Sequence, residues 1–396
     1  MTDDSYRTHF KPMPPPEEVF ESAEFMLKEC PVAHSDQDGG FWVVNRHRDA
    51  LAVLTDWRTF SSPGRVPAPP PGIQAPPMPP IDLDPPLQRD FRNIINPYLT
   101  PEVVEIFKPR IQKIVTELID QFIDNGCCDL SGQFARPFAS RVTFEILFDL
   151  DDPAQLELNL GFVHTMTYEF GSPKQPAAEK AWIEWMLSFV RQRRAQAPRH
   201  NLIDGLIHGT VDGGRPLTDE ELYGAIMIIT LGGFGTTADA IGNLMIRIAE
   251  DRSLQSQLRG DLGKLPDAIE ESLRLEPPVS GVARTCTRQT TIGERTIEAS
   301  ERVLINFTAA NRDPERFDDP GRFDMARDPA HLAFSGGPHR CVGSNLARLD
   351  IRLAFEELLT RMKNIRITPG DQVKRVSNAA AWWVPNYVPI TFDRAG

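Results

Sequence analysis

The chain has 396 residues, of which 41% are apolar and 25% charged, ample for a sizeable core. A formal net charge of −12 excludes the basic face that nucleic acid requires, and no apolar run follows Met1-Thr2-Asp3-Asp4, so neither leader nor membrane anchor is expected. Five cysteines without a Cys-x-x-Cys spacing suit free thiols in a reducing, cytoplasmic compartment, and 35 prolines are the compositional outlier.

In chain order, residues 1 to 16 are polar and proline-rich and read as extended. Glu17 to Cys30 reads as a helix with Val19, Phe20, Ala23, Met26 and Leu27 on one face. Phe41 to Val44 reads as a strand and Asp49 to Leu54 as a short helix. Prolines dominate from Pro63 to Pro86; they fix φ and remove donors, so an extended linker, a Pro-x-x-Pro partner motif or an irregular loop is expected there. Prolines then open a helix in Asp84-Pro85-Pro86-Leu87-Gln88-Arg89-Asp90-Phe91-Arg92, and Gln88 and Arg92, four apart, share a face. From Pro101 to Arg194 four amphipathic helices are predicted: Glu102 to Asn125, Phe134 to Phe148, Ala154 to Phe170 and Glu179 to Arg194. Cys127-Cys128 falls at a turn after Gly126 and reads as structural. Met166, Tyr168 and Phe170 read either as a lid or as ordinary core.

Thr218-Asp219-Glu220-Glu221 is a capping box, and the helical pattern behind it runs to about Glu250. Its middle reads Leu231-Gly232-Gly233-Phe234-Gly235-Thr236-Thr237-Ala238-Asp239. Each glycine costs about 1 kcal/mol of helix propensity, so the run either splits in two or uses the glycines for a close approach. Glu271 and Arg274, at i and i+3, suit a helical ion pair. Last comes Phe334-Ser335-Gly336-Gly337-Pro338-His339-Arg340-Cys341-Val342-Gly343, just before the amphipathic run Ser344 to Met362. A thiol where a loop meets a helix start is favoured as thiolate by free N–H groups and the helix dipole. A zinc site of His331, His339 and Cys341 would lack a fourth ligand.

This loop resembles the haem-binding loop of the cytochrome P450 family: Phe334, Gly337, His339, Cys341 and Gly343 fill its pattern of Phe, two residues, Gly, any residue, His or Arg, any residue, Cys, any residue, Gly. The glycine-broken helix is similar to the family's central-helix motif, with Gly232, Gly233 and Thr236 in register and Gly235 where an acid is usual. The resemblance covers Phe41 to Phe392 and implies one mainly α domain with a small β-rich part, the cytochrome P450 fold, across 1–396.

It further implies that Cys341 is the iron ligand of a haem b, whose setting includes Phe334, His339, Gly343 and Gly232, with propionates met by Arg284, Arg92 and Gln88, the last replacing a His. Thr236 is then the hydroxyl that helps deliver protons during oxygen activation, and Asp239 is the candidate substitute for the acid missing at Gly235. Glu271, Arg274 and Arg322 correspond to a network locking the loop beneath the haem. The proline stretch corresponds to the roof of the substrate pocket, where Ile73, Met78 and Ile81 join Ile228, Val279, Val282 and one face of the Trp382-Trp383 pair; Ser280 falls beside them. The implied activity is O2-dependent monooxygenation of a small or medium apolar compound by a monomer. Electrons come from a separate ferredoxin or flavodoxin and its NAD(P)H-dependent reductase, with Arg340, Arg348 and Arg352 as the docking face. Gly235 keeps peroxide-driven oxidation, oxidative coupling or dehydration open, and a non-catalytic haem sensor is the reading of another class.

Overall fold

The computed structural model describes residues 14–62, 77–150, 152–169, 171–327, 330–378 and 381–395. They group into two compact units, each gathered from separated stretches: Met1–Phe91, Glu270–Cys341 and Val376–Val384 in the first, and Arg92–Ile269, Val342–Arg375 and Pro385–Gly396 in the second.

The first unit is built on a five-stranded sheet. Val32–Ser35 runs antiparallel to Phe41–Val44, Arg302–Asn306 joins it in parallel, Gly281–Cys286 pairs antiparallel with that strand, and Phe60–Ser61 closes the order. Alternate residues of a strand face opposite ways. Accordingly Val44, Val282, Val303 and Ile305 bury into one apolar cluster with Val53, Leu54 and Phe307, while Ala33, Val43 and Leu304 bury into another with Val19 and Met26. Those last two come from the helix Val19–Glu29, which shortens the expected Glu17 to Cys30 by its fraying ends.

The second unit is helical. Its helices include Pro101–Asp120, Pro153–Tyr168, Gln175–Arg194 and Asp219–Glu250, with Ser344–Arg361 following the cysteine loop. The expected helix Phe134 to Phe148 is a short α segment, Arg136–Arg141, between the π-type turns Ser131–Ala135 and Val142–Leu147. Cys127 and Cys128 lie on a strand, Cys127–Asp129, paired with Pro389–Arg394 rather than at a turn. The turn ends one residue earlier, at Gly126 in the left-handed region with φ +67.

The helix Asp219–Glu250 is unbroken, so the glycines neither split it nor interrupt its hydrogen bonding. Its start carries the predicted capping box: Thr218 Oγ1 accepts from the Glu221 N–H at 3.1 Å, and the Glu221 carboxylate accepts from the Thr218 N–H at 2.8 Å. Arg215, bonded to Glu221 at 2.7 and 2.8 Å, holds that carboxyl down at about 2. By length and composition this helix is apolar enough to cross a membrane, but 67% of its apolar window is buried inside the protein, as suits a core helix.

Candidate active site

The cysteine loop belongs to the first unit as far as Cys341. Leu332 to Gly343 turns tightly: Ser335 N–H bonds the Leu332 carbonyl, Arg340 N–H the Gly337 carbonyl, and Cys341 N–H the Phe334 carbonyl at 2.8 Å. Gly337 makes this possible, since it sits at φ +61 and a Cβ there would come within 2.4 Å of the Leu54 carbonyl oxygen. The loop thus rests on the helix His47–Thr55 with no room for a side chain. His339 Nε2 lies 2.9 Å from Ser62 Oγ, pinning the loop to the edge of the sheet. Cys341 is left exposed, whereas Cys30, Cys128 and Cys286 are buried, and Gly343 caps the helix that follows. Among the described residues no three His, Cys, Asp or Glu are grouped to hold a metal ion.

A buried ionic network fixes the approach to this loop. Arg274 donates to both Glu271 oxygens at 2.8 Å and to the Asn311 and Pro320 carbonyls. Both side chains are fully buried, so the pair must be saturated with hydrogen bonds to be tolerated. The third arginine is Arg327, 3.3 Å from Glu271, and not Arg322 as expected. Arg322 offers Arg274 only its carbonyl, and its exposed guanidinium pairs with Asp319 and Asp324. Nothing in the spacing of the sequence distinguishes the two arginines, because the segment between them is irregular.

Gln88 is buried, and its Nε2 donates to the Pro338 carbonyl at 2.7 Å, so one of its two N–H donors braces the cysteine loop directly. Arg92 follows one helical turn later on Leu87–Ile95. Arg284, on the inner strand Gly281–Cys286, is 4% exposed. Burial lowers its guanidinium to about 10, against the pull of the Asp84 carboxylate, and Nη1 donates to the Ala283 carbonyl at 2.6 Å. Asp84 itself accepts from Ser61 Oγ and the Ser62 N–H at 2.5 and 3.0 Å.

The candidate substrate residues of this unit divide. Met78 and Ile81 are half-buried in a turn closed by the Ile81 N–H to the Met78 carbonyl and by the Met78 N–H to Asp82. Ile73 lies outside the described residues, as does Pro63 to Pro76 of the proline stretch. Val282 is a core residue, and Val279 packs against the same cluster. Trp382 is buried among Val19, Met26, Cys30 and Phe41, and Trp383 packs on that cluster too, 4.7 Å from the Phe20 ring. Both tryptophans precede the strand Val384–Tyr387, so strand alternation does not separate them. Ser280, expected to face substrate, accepts the Trp382 N–H instead. An open cleft of about 670 Å³ bordered by His34, Trp42, Glu301 and Arg302 contains none of the predicted site residues.

In the second unit the central helix carries the other half of the predicted chemistry. Twenty of its residues are buried, yet Ile228, Gly232 and Thr236, spaced by four on one face, are all accessible. A Cβ at Gly232 would meet nothing within 4 Å, so this stripe borders open space. Thr236 Oγ1 donates to the Gly232 carbonyl at 2.7 Å, which orients the hydroxyl and leaves its lone pairs as acceptors. The other two glycines answer to packing. A Cβ at Gly233 would lie 2.7 Å from Thr143 Oγ1, and one at Gly235 would lie 3.0 Å from Thr167 Cγ2. The position where an acid was expected is therefore faced by a neighbouring helix. One turn on, Asp239 is 3% exposed; it accepts from the Tyr168 hydroxyl at 3.2 Å, and burial pushes its carboxyl up to about 7. Arg352, expected on the docking face, lies near Glu105 and Glu356, at 3.8 and 3.9 Å.

The family model for Cytochrome P450 matches residues 174–383. The chain belongs to the cytochrome P450 family. It is 31% identical over 363 residues to Cytochrome P450 107B1 of Saccharopolyspora erythraea, covering 87% of this chain and 88% of that relative. Steroid C26-monooxygenase of Mycolicibacterium smegmatis is 30% identical, covering 88% and 89%. Among solved structures, a mutant of P450 EryK in complex with erythromycin B is similar with a TM-score of 0.85 at 28% identity, covering 95% of this chain and 96% of that one. The P450 fold and the identity of an O2-dependent oxidoreductase follow. The family's haem suits the donors of the first unit: the exposed Cys341 thiol on a glycine loop, and the buried Arg284 guanidinium, a cation suited to a carboxylate. This P450 also contains polar side chains that no motif marked, Arg327 and Thr167, and Tyr168, expected only as lid or core, donates to Asp239; each is reached only through tertiary packing.

Proposed function

We propose that this P450 is a single catalytic domain, cytoplasmic and monomeric, that inserts one atom of O2 into a small or medium apolar substrate of the terpenoid, aromatic, fatty-acid or steroid class. Relatives are named for such chemistry, a cyclomarin C epoxidase of Salinispora arenicola and the steroid monooxygenase among them. Haem b, when bound, supplies oxygen activation. Cys341 is its thiolate ligand, fixed by the Phe334 carbonyl and the Gly337 turn; Arg284, Arg92 and His339 serve the propionate side, with Gln88 holding the loop. Thr236 accepts and passes protons, and Ile228, Met78 and Ile81 border the substrate. A ferredoxin or flavodoxin, reduced from NAD(P)H, delivers electrons near Arg340 and Arg348.

The observation that carries this reading is the accessible stripe Ile228, Gly232 and Thr236 on a mostly buried helix, in a chain whose exposed Cys341 precedes a helix start. It is tested by NAD(P)H-driven turnover under isotopically labelled oxygen gas, after optical titration of the ferric protein with terpenes, aromatics, fatty acids and steroids. Label in the product is expected; oxidised product without label refutes monooxygenation. Gly235, faced by Thr167, favours a second reading in which the enzyme works without the usual acid, by peroxide-driven oxidation, coupling or dehydration.

A further inference from the structure

Resting on the P450 reading, we propose that Asp239 is the proton reserve for the chemistry at Thr236, and that Tyr168 is the residue that positions it. The geometry begins with the helical repeat. Gly235 and Asp239 are four apart and share a face, and Thr236 is three before Asp239, so its accessible stripe borders that buried face. The end of the helix Pro153–Tyr168 covers that face, placing Thr167 against Gly235 and Tyr168 on Asp239. The space an acid at 235 would need is thus bounded by Thr167, and the carboxyl is supplied one turn later.

The surroundings suit a group that gives up and regains a proton. Asp239 is buried, which favours its neutral form, while three groups temper that preference: Tyr168 from one helix, Arg136 from another and Arg375 from the C-terminal part of the chain. Arg136 lies over the Tyr168 ring, 3.8 Å from its centroid, and is tethered by Asn386. Arg375 is tethered by Asn243, one turn beyond Asp239, at 2.7 Å. Tyr168 stays protonated, its hydroxyl raised well above the ordinary phenol value chiefly by burial, and so remains a donor. In the step itself the carboxyl O–H bond of Asp239 breaks, a water takes that proton and donates one of its own to the Thr236 hydroxyl oxygen, and the hydroxyl passes its original proton on to the reaction. The carboxylate left behind accepts from Tyr168 and is balanced by Arg136 and Arg375 until solvent returns a proton. No electron moves.

The test is infrared spectroscopy of the ferric holoenzyme as pH is varied, with Asp239→Asn and Tyr168→Phe beside the wild type. A protonated-carboxyl band titrating near neutral pH is expected in the wild type and absent from Asp239→Asn. Tyr168→Phe should keep the band but shift its frequency and raise its midpoint, since a donor to the carboxylate has gone. Photolysis of the carbon monoxide complex should perturb the same band, and the isosteric Asn variant should lose that signal. A band unchanged by Asp239→Asn, or an Asp239 band insensitive both to Tyr168→Phe and to photolysis, overturns the proposal. The haem reading is judged separately, by whether the wild-type carbonyl complex has the thiolate spectrum.

Discussion

Replacing Asp239 by Asn exchanges a buried carboxyl for a neutral amide of the same shape, and the consequence for stability has a definite sign. An ordinary Asp carboxyl titrates at 3.8, whereas burial holds Asp239 at about 7. Between those values the folded protein binds the proton and the unfolded chain does not, so the stability present below pH 3.8 is lost as pH rises through 7. At roughly 1.4 kcal/mol per pH unit, the loss reaches about 4 kcal/mol above neutrality. Asp239→Asn keeps the Tyr168 hydroxyl satisfied and has nothing to ionise. The variant should match the wild type near pH 4 and gain on it steadily, to about 4 kcal/mol, by pH 8. Urea unfolding followed by tryptophan fluorescence at a series of pH values measures the difference. A pH-independent offset between the two proteins would refute the reasoning, as would a wild type that gains on the variant as pH rises. The latter result means that Arg136 and Arg375 hold Asp239 ionised.

Three further outcomes are expected. Gly337→Ala forces a Cβ against the Leu54 carbonyl in the left-handed region; the strain exceeds about 2 kcal/mol, and the purified protein should show a reduced haem-to-protein ratio. Arg274→Leu takes both short guanidinium hydrogen bonds from the buried Glu271 and leaves it Arg327 at 3.3 Å, at a cost of up to about 3–5 kcal/mol read as a lowered urea midpoint, whereas Arg322→Leu should cost under about 1 kcal/mol because its pairs are exposed. Thr236→Ala removes the hydroxyl without disturbing the buried faces of its helix, so ligand-induced optical shifts should persist while product formed per NAD(P)H falls about tenfold or more.

Much of this was legible in the sequence, for reasons that differ by element. The cysteine loop was readable because its constraints are local: Gly337 and Cys341 serve one turn whose hydrogen bonds span seven residues or fewer. The capping box and the central helix were readable for the same reason. Gly235 was noticed as a departure, but its cause was hidden, because Thr167 lies far away in sequence and meets it only in the folded unit. Arg322 is named on resemblance alone; the packing of an irregular segment decides that the Arg327 guanidinium reaches Glu271. Trp382 and Val282, pocket residues by resemblance, each lie in an apolar core cluster that the linear sequence does not reveal. Strand alternation misled for Trp382 and Trp383 because the strand starts two residues after the first of them.

The central claim is that Cys341 is the thiolate ligand of a haem, and the visible spectrum of the reduced protein under carbon monoxide addresses it most directly. The wild type should show the red-shifted band of a thiolate-ligated carbonyl complex, and Cys341→Ala should lack it while the variant keeps its fold by circular dichroism. An unshifted wild-type band, or a red-shifted band that survives Cys341→Ala, would contradict the assignment.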